Sequence, residues 1–140
     1  MDAPDYADAL IGWRVWLVVE TTAGLRLGSV IHDHVWEPGV PATAVCRERH
    51  AAPDPACTCG IHAAHEPATA LPYLRGRNDP GTIGRVLGRV LLWGTVVEHE
   101  QGWRAQHARP FELWLPPQLD GLESAYRATA RAASSVGGSA

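Results

Sequence analysis

The sequence contains no lysine, since all twelve of its basic residues are arginines. Fifteen acidic residues outnumber them and the formal net charge is −3, so the chain lacks the basic excess that attracts nucleic acid or anionic lipid. It also has no apolar run long enough to cross a membrane. Its acidic first residues lack the charged-then-apolar pattern of a secretory signal. These absences argue against nucleic-acid and membrane partners and predict a cytoplasmic protein.

Cysteine is scarce, and its distribution is uneven. The three cysteines all lie between residues 46 and 59. Thiols stay reduced in the cytoplasm, so an odd number of clustered cysteines there favours metal binding over a disulfide. A disulfide between Cys57 and Cys59 would also be strained by their closeness in the chain.

Sequence motifs of common enzyme classes are missing as well. The Cys57-x-Cys59 spacing differs from the Pro-Cys-x-x-Cys of zinc deaminases, and His65-Glu66 does not have their His-x-Glu order. The chain contains no His-Glu-x-x-His, no Gly-x-Ser-x-Gly and no phosphate-binding loop. A binding role is therefore favoured over an enzymatic one.

The length and the apolar content are those of one globular domain. A chain of 140 residues with 46% hydrophobic residues can bury a core without cross-links. We predict a flexible lead-in over residues 1–11 and a single β-rich domain over residues 12–133. The small and polar residues 134–140 predict a disordered tail.

Two hairpins are predicted from residue type and alternation. Residues 13–20 are rich in β-branched and aromatic side chains, and the turn Thr21-Thr-Ala-Gly24 leads into a second strand over residues 25–32. Residues 84–100 form the third strand, because three glycines would each cost about 1 kcal/mol relative to alanine inside a helix. The chain returns over residues 103–107, Pro110 interrupts it and allows a bulge or an edge position, and residues 111–115 form a last strand.

A helix is predicted at the C-terminal end of the domain. Asp120 and Glu123 have the spacing of a capping box, and Leu119, Leu122 and Tyr126 follow helical spacing, so residues 121–133 should form an amphipathic helix. A second, short helix is predicted near residues 66–67. The predicted fold is mainly β: two antiparallel hairpins in a small barrel or sandwich, a metal-binding crossover loop and the C-terminal helix.

The cysteine cluster has the composition of a structural zinc site. Cys57 and Cys59 would supply two ligands from one tight turn, and Cys46 and His50 the other two. Zinc in structural sites is held by four such ligands in a tetrahedron, and three thiolates with one neutral imidazole leave a net charge near −1. We therefore predict a closed Cys₃His site.

Several alternatives remain at this site. His62 and His65 follow the cluster closely and could replace His50, and His32 or His34 could reach it from the end of the second strand. A 2Fe–2S cluster could use the same residues, since ligand spacing does not separate it from zinc. The tripeptide Gly-Trp-Arg occurs at 12–14 and at 102–104, but three residues are too few to indicate a duplication.

Several short motifs of the chain form a combination that is typical of one group of proteins. They are Trp36-Glu-Pro, Cys46, His50-Ala-Ala-Pro, Cys57-Thr-Cys-Gly-Ile-His-Ala, Leu92-Trp-Gly-Thr-Val-Val-Glu and Gly102-Trp-Arg-Ala. In this combination the sequence resembles a group of small uncharacterised proteins from high-GC Gram-positive bacteria, over about residues 12–116. The resemblance implies no activity. In that group the position of His62 is often Tyr, which argues against His62 as a ligand.

Two functions are compatible with these patterns. The first is a zinc-stapled, non-catalytic module that binds a protein or small-molecule ligand through its loops. The second is a metal-dependent or iron–sulfur redox protein that uses the same cluster. A closed Cys₃His site without catalytic motifs favours the first.

Overall fold

The computed structural model describes residues 9–31, 34–48 and 50–133, and over that range the protein is mainly β. Eight strands follow one another along the chain: β1 Leu10–Thr21, β2 Gly24–Ser29, β3 Val35–Trp36, β4 Ala42–Thr43, β5 Ile61–Ala64, β6 Thr82–His99, β7 Gly102–Leu115 and β8 Thr129–Ala132. The helical elements are short: α1 Pro67–Ala70, α2 Leu122–Tyr126, and the 3-10 helices Leu71–Leu74 and Pro117–Leu119. The predicted mainly β class is confirmed.

Both predicted hairpins are present. β1 and β2 pair antiparallel through a turn at residues 22–23, and Gly24 takes the positive φ of 116° for which glycine is suited. β6 and β7 form the second, longer hairpin. β7 runs through Pro110, opposite which the register of the pair shifts, so the proline lies at an irregularity of the sheet as expected.

The strand pairings form a closed circuit. β6 pairs with β1 along one edge and with β7 along the other. β5 pairs with the first part of β7 and contacts β1 through the Trp13–Ala64 pair. Four strands are thereby linked as β1–β6–β7–β5 and back to β1.

The second edge of β7 is covered by three short strands in succession. β5 pairs with residues 102–105, β4 with residues 107–108, and β8 runs parallel to residues 112–115. An uncovered strand of this length would leave its N–H and C=O groups without partners. β4 and β5 therefore lie end to end along one edge of β7, and the chain between them forms a loop whose two ends are close together.

The main core is built from side chains of these strands and of the elements packed against them. Its largest fully buried side chains come from the first two strands and from the long hairpin: Trp16, Val18, Leu27, Val86, Val90, Leu92 and Leu113. Tyr126 of α2 is buried against them, donates a hydrogen bond to the carbonyl of Trp36 and accepts one from the N–H of Leu27. The C-terminal part of the domain is thus joined to β2 and β3 by a buried hydroxyl that has both a donor and an acceptor partner.

The predicted C-terminal helix is correct in its existence and wrong in its extent. α2 covers only five residues and ends where Arg127 adopts the left-handed conformation, with φ 57°. The chain then turns into β8, which pairs with β7. The predicted capping box is also different, because Gly121 rather than Asp120 is the N-cap and donates its N–H to Glu123. The free edge of β7 offers backbone partners that an isolated helical turn lacks, and tertiary pairing therefore overrides the helical spacing.

The other predicted boundaries have mixed outcomes. β1 begins at Leu10, so residues 10–11 belong to the sheet and not to a lead-in. Residues 1–8 and the predicted tail 134–140 lie outside the described residues. α1 begins with Pro67 as predicted, but β5 was not foreseen. None of the helices in the described ranges has the length and apolar character required to cross a membrane.

The two Gly-Trp-Arg segments have a structural role, since they lie on either side of β5. A Cβ atom at Gly12 would lie 2.6 Å from the Cβ of Ala63, and one at Gly102 would lie 2.9 Å from the Cα of Ala64. β5 is therefore in close contact with two backbones that carry no side chain at those points. The repeat reflects this shared packing and gives no support for a duplication.

We expect Gly12→Ala to destabilise the protein by about 1–3 kcal/mol, because the added methyl group would collide with β5. Gly84→Ala on β6 is the matched control, since a Cβ there would meet no atom within 4 Å, and its effect should stay within about 0.5 kcal/mol. Urea unfolding followed by circular dichroism measures both. Equal stability of the two variants would contradict the tight packing of β5.

A buried carboxylate ties β8 to the sheet. Glu112 on β7 is 3% exposed, and it accepts hydrogen bonds from Arg89 at 2.7 Å and from Arg131 of β8. Burial by itself raises the pKa of Glu112, but the two arginines outweigh it and the pKa lies below its ordinary value. Arg89 in turn lies over the rings of Trp13 and Phe111. The ion pair is thus embedded in an aromatic part of the sheet.

Glu112→Gln should lower the free energy of unfolding by about 1–3 kcal/mol at neutral pH, because two guanidinium groups lose a charged acceptor. Since the folded-state pKa is depressed, this stabilisation exists above the unfolded pKa of about 4.3 and is lost as the pH falls through the folded value. The difference between wild type and variant should therefore shrink on acidification. Denaturant titrations from pH 7 to pH 3 test this, with Glu100→Gln at an exposed turn as the control.

Candidate metal centre

The candidate site lies in the cysteine loop, which is the segment 44–60 between β4 and β5. Both ends of the loop are held on β7, because Thr43 pairs with His107 and Ile61 pairs with Ala105. The two anchor points are only two residues apart along β7. Cys46 follows the first anchor by three residues and Cys59 precedes the second by two, so the sheet itself brings these cysteines near each other.

The structure brings the four predicted ligands together. One donor atom from each of Cys46, His50, Cys57 and Cys59 lies within 4.8 Å of every other. The sulfur of Cys46 is 3.8 Å from that of Cys57 and 3.3 Å from Nε2 of His50. Two thiolates bound to one zinc at about 2.3 Å in a tetrahedron are separated by about 3.8 Å. The group could therefore hold a metal ion.

The imidazole of His50 is oriented for coordination through Nε2. Its Nδ1 lies 2.9 Å from the carbonyl oxygen of Ala51, and a carbonyl can only accept a hydrogen bond, so Nδ1 must carry the proton. The lone pair of the neutral ring is then on Nε2, the atom that faces Cys46. Histidine ligands in metal sites are commonly held in this way by an acceptor on the other nitrogen.

Backbone N–H groups favour the ionised form of two of the thiols, those of Cys46 and Cys57. The N–H of Cys59, followed by the side chain of His50, lowers the pKa of Cys57 to about 7. The N–H of Glu48 points at the sulfur of Cys46 from 3.5 Å and favours its thiolate, but burial and the neighbouring Cys57 and Cys59 outweigh it, and the pKa of Cys46 is raised. Three thiols so close together cannot all ionise without a cation among them. A metal ion held by this group would supply that cation.

Arg104 of β7 lies beneath the loop and was not foreseen from the sequence. It is 7% exposed, and its Nη1 donates to the carbonyl of Cys59 at 2.7 Å and to that of Asp54 at 3.2 Å. Gly60, with φ 120°, allows this approach, since a Cβ there would lie 2.9 Å from the Cβ of Arg104. The recurrence of Gly-Trp-Arg was the one signal in the sequence that pointed at this residue.

The alternative ligands lie elsewhere or outside the described residues. His62 is exposed and uses Nε2 to bond the carbonyl of Thr58. His65 lies 3.0 Å from a carboxylate oxygen of Glu98 and packs against Trp103. His34 is exposed, and its carbonyl accepts the N–H of Ser29. His32 is not described. Within the described ranges, the Cys₃His group is the only candidate metal site of three or more donors.

His50→Asn should weaken Zn²⁺ or Co²⁺ binding by at least about tenfold, since even changes in the outer shell of a metal site cost 10–100-fold. His65→Asn is the matched control and should leave the affinity within about threefold of wild type, because His65 lies beside Glu98 and Trp103 and not against the cysteine loop. Competition with a chromophoric chelator measures both. The reverse order of effects would show that His65, not His50, is the fourth ligand.

Comparison of the chain with protein-family models, curated proteins and solved structures finds no match. The resemblance to small proteins of high-GC Gram-positive bacteria therefore stays a prediction.

Proposed function

We propose that the protein is a non-catalytic binding module whose cysteine loop is held in shape by a structural zinc ion. The observation that carries this proposal is the convergence of three sulfurs and one imidazole nitrogen within 4.8 Å. The 3.8 Å spacing of two of the sulfurs equals the edge of a zinc–thiolate tetrahedron. Zinc is the natural occupant of such a soft, closed donor set.

The closed donor set also supports a structural rather than a catalytic role. Catalytic zinc sites have three protein ligands and one position for water or substrate, whereas four protein ligands fill the tetrahedron. All four donors here come from one loop of the same chain. The ion then links the beginning of the loop, at Cys46, to its end, at Cys59.

An iron–sulfur redox protein is the second candidate, and the spacing of the donors disfavours its 2Fe–2S form. In such a cluster the ligands belong to two irons that are separated by bridging sulfides. Ligands of different irons are therefore farther apart than ligands of the same ion. A group in which all four donor atoms lie within 4.8 Å is better suited to a single ion.

The exposed apolar side chains near the site support a binding role. Val45, directly before Cys46, is 85% exposed, and Val40, just before β4, is 64% exposed. Both lie within six residues of Cys46 in the chain, and apolar side chains exposed to this extent are available for contact with another molecule. A metal ion at Cys46 would hold Val45 in a defined position. The partner class is a protein or a small-molecule ligand.

The first test is metal analysis of protein purified with and without air. We expect one zinc per chain and a colourless sample, because zinc has no visible transitions. Cys57→Ser should lose the metal, while Thr58→Ser, the adjacent exposed position, should retain it. Elemental analysis and absorption spectra of the three proteins provide the measurement.

The stability of the metal-free protein is part of the same test. The main core cluster contains no described residue of the cysteine loop, so Cys57→Ser should keep the β-sheet signal in circular dichroism and lose order in the loop. Bands of sulfur-to-iron charge transfer in the purified protein would favour the redox alternative. Wild-type protein without any metal, even after incubation with Zn²⁺, would overturn both.

A further inference from the structure

The buried guanidinium of Arg104 donates hydrogen bonds to two backbone carbonyls of the cysteine loop, one before Cys57 and one after it. One of its acceptors is the carbonyl of Cys59 itself. The other is the carbonyl of Asp54, which also accepts the N–H of Cys57 and so closes the turn that presents this residue. A single side chain of β7 thus contacts the backbone on both sides of Cys57.

Arg104 is also a buried cation. Among residues 9–31, 34–48 and 50–133, no carboxylate forms an ion pair with it. Burial of a charge is costly unless an opposite charge or good hydrogen bonds offset it. Two carbonyl oxygens provide part of that compensation. An occupied metal site, which carries a net charge near −1, would add an anionic group to the loop that Arg104 holds.

We propose that Arg104 is a positioning residue of the metal site, which sets the placement of Cys57 and Cys59 and offsets the negative charge of the bound zinc–thiolate group. This inference rests on the proposed function, since it requires that the site binds a metal ion. The metal ligands and Arg104 are therefore one unit, with the ligands on the loop and the compensating charge on the sheet.

The packing around Arg104 supports a specific role for this side chain. Gly60 follows Cys59 and has no side chain at the point where the loop crosses Arg104, where a Cβ would also lie 3.0 Å from Pro53. The residue that pairs with Arg104 across the sheet is His62, whose ring bonds the carbonyl of Thr58. Two neighbouring side chains of the sheet therefore hold three carbonyls of the loop.

Arg85 is a matched control, because it performs a similar task far from the cysteines in the sequence. It donates to the carbonyls of Tyr73, Arg75 and Arg77 and to the side chain of Asn78, and so organises the loop before β6. If both arginines only stabilise their loops, replacing either one should lower the midpoint temperature of unfolding and leave metal affinity unchanged. A positioning residue of the metal site should affect metal affinity only at position 104.

The experiment compares wild type, Arg104→Gln, Arg104→Lys and Arg85→Gln. Co²⁺ affinity is measured by competition with a chelator, and the coordination geometry of the bound Co²⁺ is followed by its absorption spectrum. Circular dichroism of the metal-free protein is the folding control. We expect Arg104→Gln to bind Co²⁺ about 10–100-fold more weakly, the range for outer-shell partners of a metal. Arg104→Lys should recover part of the loss, since it keeps the charge without the fork of donors. Arg85→Gln should bind as wild type does.

The outcomes separate this proposal from the one on which it rests. Wild type that binds no Co²⁺ or Zn²⁺ overturns the proposed function and this role of Arg104 together. Wild type and Arg104→Gln with equal affinity overturn the role of Arg104 alone. If Arg104→Gln does not fold, Arg104→Lys decides, and an affinity equal to that of wild type then counts against the positioning role. An equal loss of affinity in Arg85→Gln would likewise count against it.

Discussion

Backbone hydrogen bonding along the second edge of β7 is the constraint on which the rest of the structure depends. β6 covers one edge of this strand. The other edge would expose a long row of N–H and C=O groups if nothing paired with it. β5, β4 and β8 cover it in turn, although they come from three separate regions of the chain. The position of the cysteine loop follows directly, because β4 and β5 are its two ends.

The electrostatics of the cysteine loop follow from that placement. Closure of the loop over β7 concentrates three thiols and one imidazole, which is unfavourable for ionised sulfur unless positive charge is nearby. Among the described residues, backbone N–H groups and the buried Arg104 provide positive potential there, and a metal ion held by the donor group would add to it. Arg104 belongs to the sheet and the N–H groups belong to the loop, so the donor set is supported from both sides.

The described residues of the cysteine loop do not belong to the main core. The main core consists of side chains from the strands, from α2 and from the 3-10 helix before it, and Tyr126 joins the C-terminal part to β2 and β3 by two buried hydrogen bonds. The loop contributes hydrogen bonds and the donor group instead. In such an arrangement the sheet provides stability, while a metal ion held by the donor group would determine the shape in which the loop presents its exposed residues.

The local features of the chain were predictable because neighbouring residues determine them. Alternating β-branched and aromatic side chains with a glycine turn specified the first hairpin, and the glycines within residues 84–94 argued correctly against a helix. The clustering of three cysteines with a histidine likewise identified the donor set that the fold assembles. In each case the contacts lie within a short segment, and residue type and spacing are sufficient to indicate them.

What the tertiary structure alone decided concerns pairings between distant segments. β5 and β8 are four residues long and have no strong strand pattern, and each exists because an edge of β7 was available. The helix predicted for residues 121–133 ended early for the same reason. The role of Arg104 was not predicted, because the carbonyls it holds are more than 40 residues away in the chain. Residue type determined the chemistry of the site, and pairing along one strand determined its position and its support.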